Sequence, residues 1–368
     1  MRRSTVHFEW LRTSVRTQYR TGVSLHGHTL HSRETLDYLV TAAHQVPGLS
    51  GAIRKQEQRY HQAHGHELDF QQAWWTPPLA PADAWRLEHA QIANLGLRSL
   101  VSLTDHDNID AALSPAVLEQ LPEFPVSVEW TVPFRNTFFH LGIHNMPLSD
   151  APARMRRMQQ FTQNPREPEL APLLDWLSAS PDTLMVLNHP LWDESHCGAG
   201  LHRDRLNQFL GAFGPFFHAL ELNGLRHARE NRAVMALAET VDLPVISGGD
   251  RHSREPNACI NLTNAATFPE FIEQVRRDGL STVMFLPHYR VPMRLRLVQN
   301  VCDVLSEDST HALGWTRWSD RVFYRNPQGT VRSLTDIWGH RAPSLVSHFI
   351  FATSLLAGKS QSSYTCAS

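Results

Sequence analysis

Two histidines stand two apart in Ser24-Leu25-His26-Gly27-His28-Thr29-Leu30-His31-Ser32, behind the apolar lead-in Val23 to Leu25. In an extended strand, such residues point to one face with their Cα atoms about 7 Å apart. Two imidazoles converging like that can share one metal ion or hold two neighbouring ions. A lone His-x-His pair is weak evidence, and its weight here comes from later segments. The run Leu97 to Leu103 leads into Thr104-Asp105-His106, Pro125 to Val128 into Glu129, and Thr137 to Phe139 into His140, with His144 four residues on. Further along, Thr183 to Leu187 leads into Asn188-His189-Pro190, and Phe217 to Leu220 into Glu221-Leu222-Asn223. Leu243 to Ser247 leads into Gly248-Gly249-Asp250-Arg251-His252. Such a recurrence of imidazole and carboxylate residues leans toward metal binding, neutral imidazole being the commonest metal ligand.

These short apolar runs, separated by helical or loop segments, read as strands of an α/β fold. In an α/β barrel the C-terminal strand ends converge on one face, where scattered residues meet in one cleft. Strand ends turning toward water would explain Asn and Ser there, but not a recurrent choice of His, Asp and Glu. A helix is expected from Pro81, with Ala84, Leu87, Ile92 and Leu95 on one side and Gly96 as its stop. Others are expected over Glu230–Thr240 and Phe268–Asp278, the latter closed by Gly279 before an edge strand at Thr282–Leu286.

Met1 to Gly22 reads as a polar leader. Residues 33–76 read as an insertion, broken at Pro47-Gly48 and helical over Ala52–Gln72. Its His61, His64 and His66 fit a solvated helical face; a lid, with Arg54, Lys55 and Arg59 meeting an anion, is the alternative. The domain reading is thus a barrel over 1–286 that carries this inserted helical segment. Residues 287–368 form a C-terminal α+β extension packed on it. The extension holds a hairpin, Val322–Arg325 and Thr330–Leu334 around Asn326-Pro327-Gln328-Gly329, and a final helix over Pro343–Ala357.

Composition narrows the class. The chain has 368 residues, 42% hydrophobic and 19% charged, enough for one large domain or two ordinary ones. A formal charge of −2 provides no field for nucleic acid or an anionic membrane. Nucleic acid is therefore expected only as a small nucleotide or oligonucleotide substrate. The 22 histidines are the unusual number. Cys197, Cys259, Cys302 and Cys366 are far apart without a Cys-x-x-Cys, so neither a disulfide framework nor a thiolate zinc site is suggested. No secretory h-region, spanning segment or prenylation box is found, and a cytoplasmic setting is expected.

Together the motifs resemble the polymerase and histidinol phosphatase (PHP) family of metal-dependent phosphoesterases. The residues that carry the resemblance are His26-Gly27-His28-Thr29-Leu30-His31-Ser32, Thr104-Asp105-His106, Glu129, His140-Leu141-Gly142, His189-Pro190 and Asp250-Arg251-His252, in that order. It implies a distorted seven-stranded (β/α) barrel with two or three divalent ions (Mn, Fe or Zn) at its C-terminal face. By position the ligands would be His26, His28, Glu34, His106, Glu129, His140, His189, Asp250 and His252, with His140 preferred over His144 and Glu129 as a natural bridge.

Two departures stand out. Arg33 and Glu34 follow Ser32 where relatives place Asp or His, and Leu191-Trp192 follow His-Pro where small and basic residues are common. The implied activity is hydrolysis of a phosphomonoester or small phosphodiester by a hydroxide shared between metals, with its pKa lowered by them. Amide or ester hydrolysis, or a non-catalytic metal-binding module, are the alternatives. Arg251 and then Arg226 are expected to clamp phosphate, Asn223 to hydrogen-bond at the pocket floor, and His31 to line the pocket. Asp105 is expected to orient a metal ligand.

Overall fold

The computed structural model describes residues 3–36, 54–55, 58–62, 65, 72–114 and 124–339. His64, His66 and the expected helix over Pro343–Ala357 lie outside the described residues, as does most of the expected helix Ala52–Gln72. The chain divides into two compact units, Met1–Ser32 with Leu79–Asn300, and Arg33–Pro78 with Val301–Ser368.

Two five-stranded sheets build the first unit. One has the order β1 (Arg3–Phe8), β12 (Leu280–Phe285), β11 (Cys259–Thr263), β2 (Thr21–Ser24), β5 (Arg98–Val101). The other runs β10 (Val245–Gly248), β9 (Ala219–Asn223), β8 (Leu184–Leu187), β7 (Thr137–Met146), β6 (Val126–Phe134). Within the described residues neither ladder closes on itself. The sheets meet instead at single parallel bridges, His106 with Glu129 of β6 and Gly27 with Arg251.

Helices α1 (Pro81–Asn94), α2 (Ala151–Gln163), α3 (Glu167–Ser178), α4 (Ala199–Phe213), α5 (Ala228–Thr240) and α6 (Phe268–Arg276) connect the strands of this unit. α6 shows why they form. Thr267 caps its start by accepting from the Glu270 N–H, and Phe268, Phe271, Ile272 and Val275 are buried at i, i+3, i+4 and i+7. Burying each of those side chains contributes about 1.5–3 kcal/mol against about 1 kcal/mol for the cap, so packing sets the helix. α1 follows the same logic with one exception: its inward stripe is Ala84, Glu88 and Ile92, a carboxylate among apolar residues.

Several expectations change here. The leader is not free of structure: β1 lies parallel to β12, with Phe8 stacked on Phe285 at 5.6 Å. Only Val6 and Phe8 mark its period-two apolar face, which made it hard to see. Glu129 and His140 do not end strands. They sit inside an antiparallel hairpin, in register opposite Gly142 and Thr131, and Arg135 turns that hairpin with φ +57°. The helix α7 (Met293–Val304) contains the boundary between units, which falls at Asn300 rather than residue 286. Up to that point the chain is bound into the first unit, with the Tyr289 hydroxyl on the Arg226 carbonyl and Ser253 on Asn300.

In the second unit the insertion and the tail share one sheet, ordered β14 (Val331–Ser333), β13 (Val322–Arg325), β4 (Ala73–Trp75), β3 (Glu34–Thr35). The expected hairpin is β13–β14, followed by the short α8 (Leu334–Trp338). No described helix of either unit is long and apolar enough to cross a membrane.

Candidate metal centre

The chain segments that leave β2, β5, β8 and β10, together with the β6–β7 hairpin, bring their polar residues to one place. Six imidazoles form a circuit: His252 to His28 at 4.1 Å between ring centres, His28 to His106 at 4.7 Å, and His106 to His140 at 4.8 Å. It continues from His140 to His189 at 5.2 Å, His189 to His26 at 5.7 Å, and His26 to His28 at 5.1 Å. His26, His189 and Asp250 have φ of +62°, +26° and +55°. Left-handed backbone at a non-glycine residue costs on the order of 1 kcal/mol or more and persists only where surroundings impose it. Hydrogen bonds impose it here, from Asp250 N–H to the His26 carbonyl at 2.7 Å and from His28 N–H to the Arg251 carbonyl at 2.8 Å.

Glu129 lies fully buried inside the circuit. Its Oε2 is 2.9 Å from His26 Nε2, 3.3 Å from His28 Nε2 and 3.4 Å from His106 Nδ1. Its Oε1 faces other partners, His189 Nε2 at 3.0 Å, His140 Nδ1 at 3.6 Å and the Asn188 amide, which donates to it at 2.9 Å. The two oxygens thus serve two different sets of imidazoles. Asp250 Oδ1 adds contacts to His26 Nε2 at 3.6 Å, His28 Nε2 at 3.5 Å and His252 Nδ1 at 3.4 Å.

Burial opposes charge on every one of these groups, and the neighbours decide the sign. Burial lowers His26, but Glu129, Glu221 and Asp250 together hold it well above 6.5. His189 is also raised despite burial, chiefly by Glu129. Glu129 and Asp250 stay well below ordinary carboxylate values because the imidazoles outweigh their desolvation. His140 is pushed down to about 3 by burial, with the other imidazoles adding to the shift.

Two residues outside the expected ligand set prove central. Glu221 Oε1 bonds His26 Nδ1, while its Oε2 accepts from the His189 N–H at 2.7 Å. A Cβ on Gly248 would lie 1.4 Å from Glu221 Oε1, so glycine is what lets that carboxylate pass. Glu194, five residues after His189, stands 3.4 Å from His140 Nδ1. Glu221 was in view after the apolar run Phe217 to Leu220 but not as a partner of His26, and Glu194, seven residues beyond β8, carried no such signal.

The donors fit divalent cations on one observation. A carboxylate only accepts, so the bond to Glu221 fixes a proton on His26 Nδ1, and Nε2, facing Glu129 Oε2, is left to a second proton or to a cation. Although 2.9 Å apart, neither atom has a hydrogen-bond partner of acceptable geometry. A proton or a metal cation must relieve that juxtaposition, since an uncompensated one costs several kcal/mol in a buried site. His26, His28 and Glu129 converge as one possible ligand group, His106, Glu129 and His140 as a second, and His140, His189 and Glu194 as a third. Because His26 is held protonated at neutral pH without metal, ion entry is expected to release protons. Adding Zn or Mn to metal-free protein in weakly buffered solution at pH 7 should acidify it by about one proton or more per chain. Uptake with no acidification would contradict the proton assignment.

The other expected residues fall as follows. Arg251 is buried and fully committed, its Nε to Glu88 Oε1 at 3.0 Å and its terminal nitrogens to the Ser253 carbonyl at 3.1 Å and the His28 carbonyl at 2.9 Å. It braces the His28 segment instead of facing a phosphate. Glu88 on α1 is the buried partner that explains this, being also the acceptor for Ser24 Oγ at 2.9 Å. Asn223 does not open onto a pocket floor, because its amide donates to Glu221 Oε2 and Asp250 Oδ2, both at 3.2 Å. Asp105 grips Thr29, accepting from its N–H at 2.5 Å and its hydroxyl at 2.7 Å, and so fixes the turn after His28. His144 points away from the cluster to Ser102 Oγ at 2.9 Å. Half-buried His31 is lowered by that burial, against the opposing pull of Asp110. Arg226 lies 3.2 Å over the Trp192 ring, with a terminal nitrogen 3.6 Å from Asp250 Oδ2. Glu34 opens β3 in the second unit, paired with Trp75.

No protein-family model matches the chain, and no curated protein matches it. Solved structures show partial likeness. PsfC from Pseudomonas syringae PB-5123 aligns over 77% of this chain and 97% of its own, at 15% identity and a TM-score of 0.37. An amidohydrolase from Chromobacterium violaceum, with bound sulfate and no metal, covers 48% of this chain and 84% of its own at 17% identity and 0.33. A candidate metal-dependent phosphoesterase from Bifidobacterium adolescentis covers 54% and 91% at 17% identity and 0.32. At these scores none of the three carries an activity over to this chain.

Proposed function

We propose that the protein is a metal-dependent hydrolase that cleaves a phosphomonoester or small phosphodiester at a site for two or three divalent ions. The observation that carries this reading is Glu129, whose two oxygens serve two separate imidazole sets, as a carboxylate bridging two cations would. The matching architecture is a distorted seven-stranded barrel. The bridges His106–Glu129 and Gly27–Arg251 would join β5 to β6 and β2 to β10, making a ring of β2, β5, β6, β7, β8, β9 and β10.

Bound divalent ions would supply Lewis acidity and an activated water at neutral pH. The chain's residues do the rest. Glu221 holds His26 in one tautomer and one orientation, Asp105 fixes the Thr29 turn, and Asn223 holds Glu221 and Asp250 side by side. Arg226 takes the phosphate-binding role. It is a cation at the edge of the cluster, 3.6 Å from Asp250 and 4.0 Å from Glu230, whereas every nitrogen of the buried Arg251 already bonds within the fold. Trp192 supports the guanidinium from one face, leaving its edge for phosphoryl oxygens.

The test is inorganic phosphate release from aryl phosphates, nucleotides and small diesters by Mn-, Fe- and Zn-loaded protein, beside a panel of amides and carboxylic esters. Turnover of phosphate esters is expected; turnover of amides with none of the phosphate panel would overturn the reading. In Arg226→Ala, KM for the best phosphate ester should rise about 10–100-fold with a smaller change in kcat, the loss of charge-assisted hydrogen bonds worth about 1.5–3 kcal/mol.

A further inference from the structure

We propose that Asp193, Cys197 and His202 form a second cation site, separate from the histidine circuit, for a borderline-soft divalent ion of the Zn2+ class. All three lie between β8 and the first turn of α4. Their ligand atoms are within 4.8 Å of one another. The proposal does not depend on the reaction assigned above.

His202 carries the argument. It is 4% exposed, and its Nε2 lies 3.0 Å from the Pro190 carbonyl oxygen. A carbonyl only accepts, so Nε2 carries a proton, and in the neutral ring the lone pair is on Nδ1. That Nδ1 is buried with no hydrogen-bond partner, and it is aimed at Asp193 Oδ1, 3.9 Å away. An imidazole anchored through one nitrogen to a carbonyl, with the other nitrogen bare, is the usual setting of a metal-bound histidine.

The remaining donors are correctly placed. Cys197 Sγ is 3.4 Å from Asp193 Oδ1. Zinc bond lengths in a tetrahedron put S···O and N···O at about 3.6 and 3.4 Å, against 3.4 Å and 3.9 Å here, so these two pairs come within about half an ångström of binding distance. The fourth position is left to water. The Asp193 carboxylate is held by the Ser195 hydroxyl at 3.1 Å and the N–H groups of Cys197 at 3.1 Å and Gly198 at 2.6 Å. Loop closure alone would account for Asp193 and Cys197. It leaves the bare Nδ1 of His202 unexplained.

On binding, the thiol proton that now points at Asp193 passes to solvent as the sulfur takes the cation. The ion ties the loop carrying Trp192 and Glu194 to α4. Scanning for paired cysteines misses such a site, because its partners are Asp-x3 before the cysteine and x4-His after it.

Cobalt substitution of the full, untagged chain tests this. A thiolate-to-cobalt charge-transfer band in the near ultraviolet can come only from a site containing sulfur, and the histidine circuit contains none. The band is expected in the wild type and in Glu129→Gln, and it should vanish in Cys197→Ser and weaken or vanish in His202→Gln. On unmutated protein, Zn2+ should slow iodoacetamide alkylation of Cys197 at least about tenfold, read by peptide mass. This second readout holds even if a variant fails to fold. A wild type with neither band nor protection, or a band that survives Cys197→Ser, overturns the proposal.

Discussion

Replacing Glu129 by glutamine is expected to lower kcat/KM by about 10³-fold or more and to reduce the metal bound per chain, while the fold is kept. The substitution preserves shape and removes charge. Glu129 Oε2 faces His26, His28 and His106, and Oε1 faces His189 and His140. A glutamine offers one neutral oxygen to one of those sets and turns an NH2 group toward the other. Ions held there would lose their shared anion, and Lewis-acid stabilisation is worth several kcal/mol. About 4 kcal/mol corresponds to about 10³ in rate. The fold survives because imidazoles deprived of their carboxylate give up their protons at neutral pH instead of remaining as unpaired buried charges. Plasma emission for metal, steady-state kinetics and circular dichroism together check this. A variant with full metal content and activity within tenfold of wild type would remove Glu129 from the bridging position.

Chelation is expected to lower Tm by about 10 °C for each tightly held ion, with recovery when metal is restored. An ion at 1,000 times its Kd stabilises the native state by about 4 kcal/mol, and each kcal/mol moves Tm by about 2–4 °C in a domain of this scale. The gap should also widen with pH. In the metal-free protein His26 and His189 have raised folded values, so their contribution is fully present below about 6.5 and is lost as pH rises through those values. The lowered carboxylates Glu129 and Asp250 are the other side of the same ion pairs and are counted once. Metal competes with those same protons and binds more tightly as they leave. Thermal melts at pH 6 and pH 8, with and without chelator, read both trends; a gap that narrows toward pH 8 would contradict the proton-for-metal exchange.

Much of the site is legible because ligand chemistry is local. Strands need short apolar runs, and His26, His106, His189 and Asp250 follow such runs directly, so their types and order could be read without coordinates. Helix α6 was legible for the same reason, with its period and cap both in nine residues. What escaped was whatever depends on partners far along the chain. β1 is too polar to announce itself until β12 pairs with it. Arg251 between two candidate ligands suggested a phosphate clamp, yet its fate rests on Glu88, 163 residues away in sequence. Asn223 could likewise not be assigned before Glu221 and Asp250 were known to share its amide.

The sequence by itself determined the donor inventory, its order along the chain and the absence of thiolate from the main cluster, since these are properties of residue types and local periodicity. The tertiary structure alone decided which donors face one another. It set Glu129 between two imidazole sets, His140 inside and His144 out, Arg251 inward and Arg226 at the edge. It also gave His202 a bare nitrogen beside Cys197. Direction and burial arise from long-range packing, and with them come tautomer, charge and the capacity to hold a cation, which no spacing along the chain encodes.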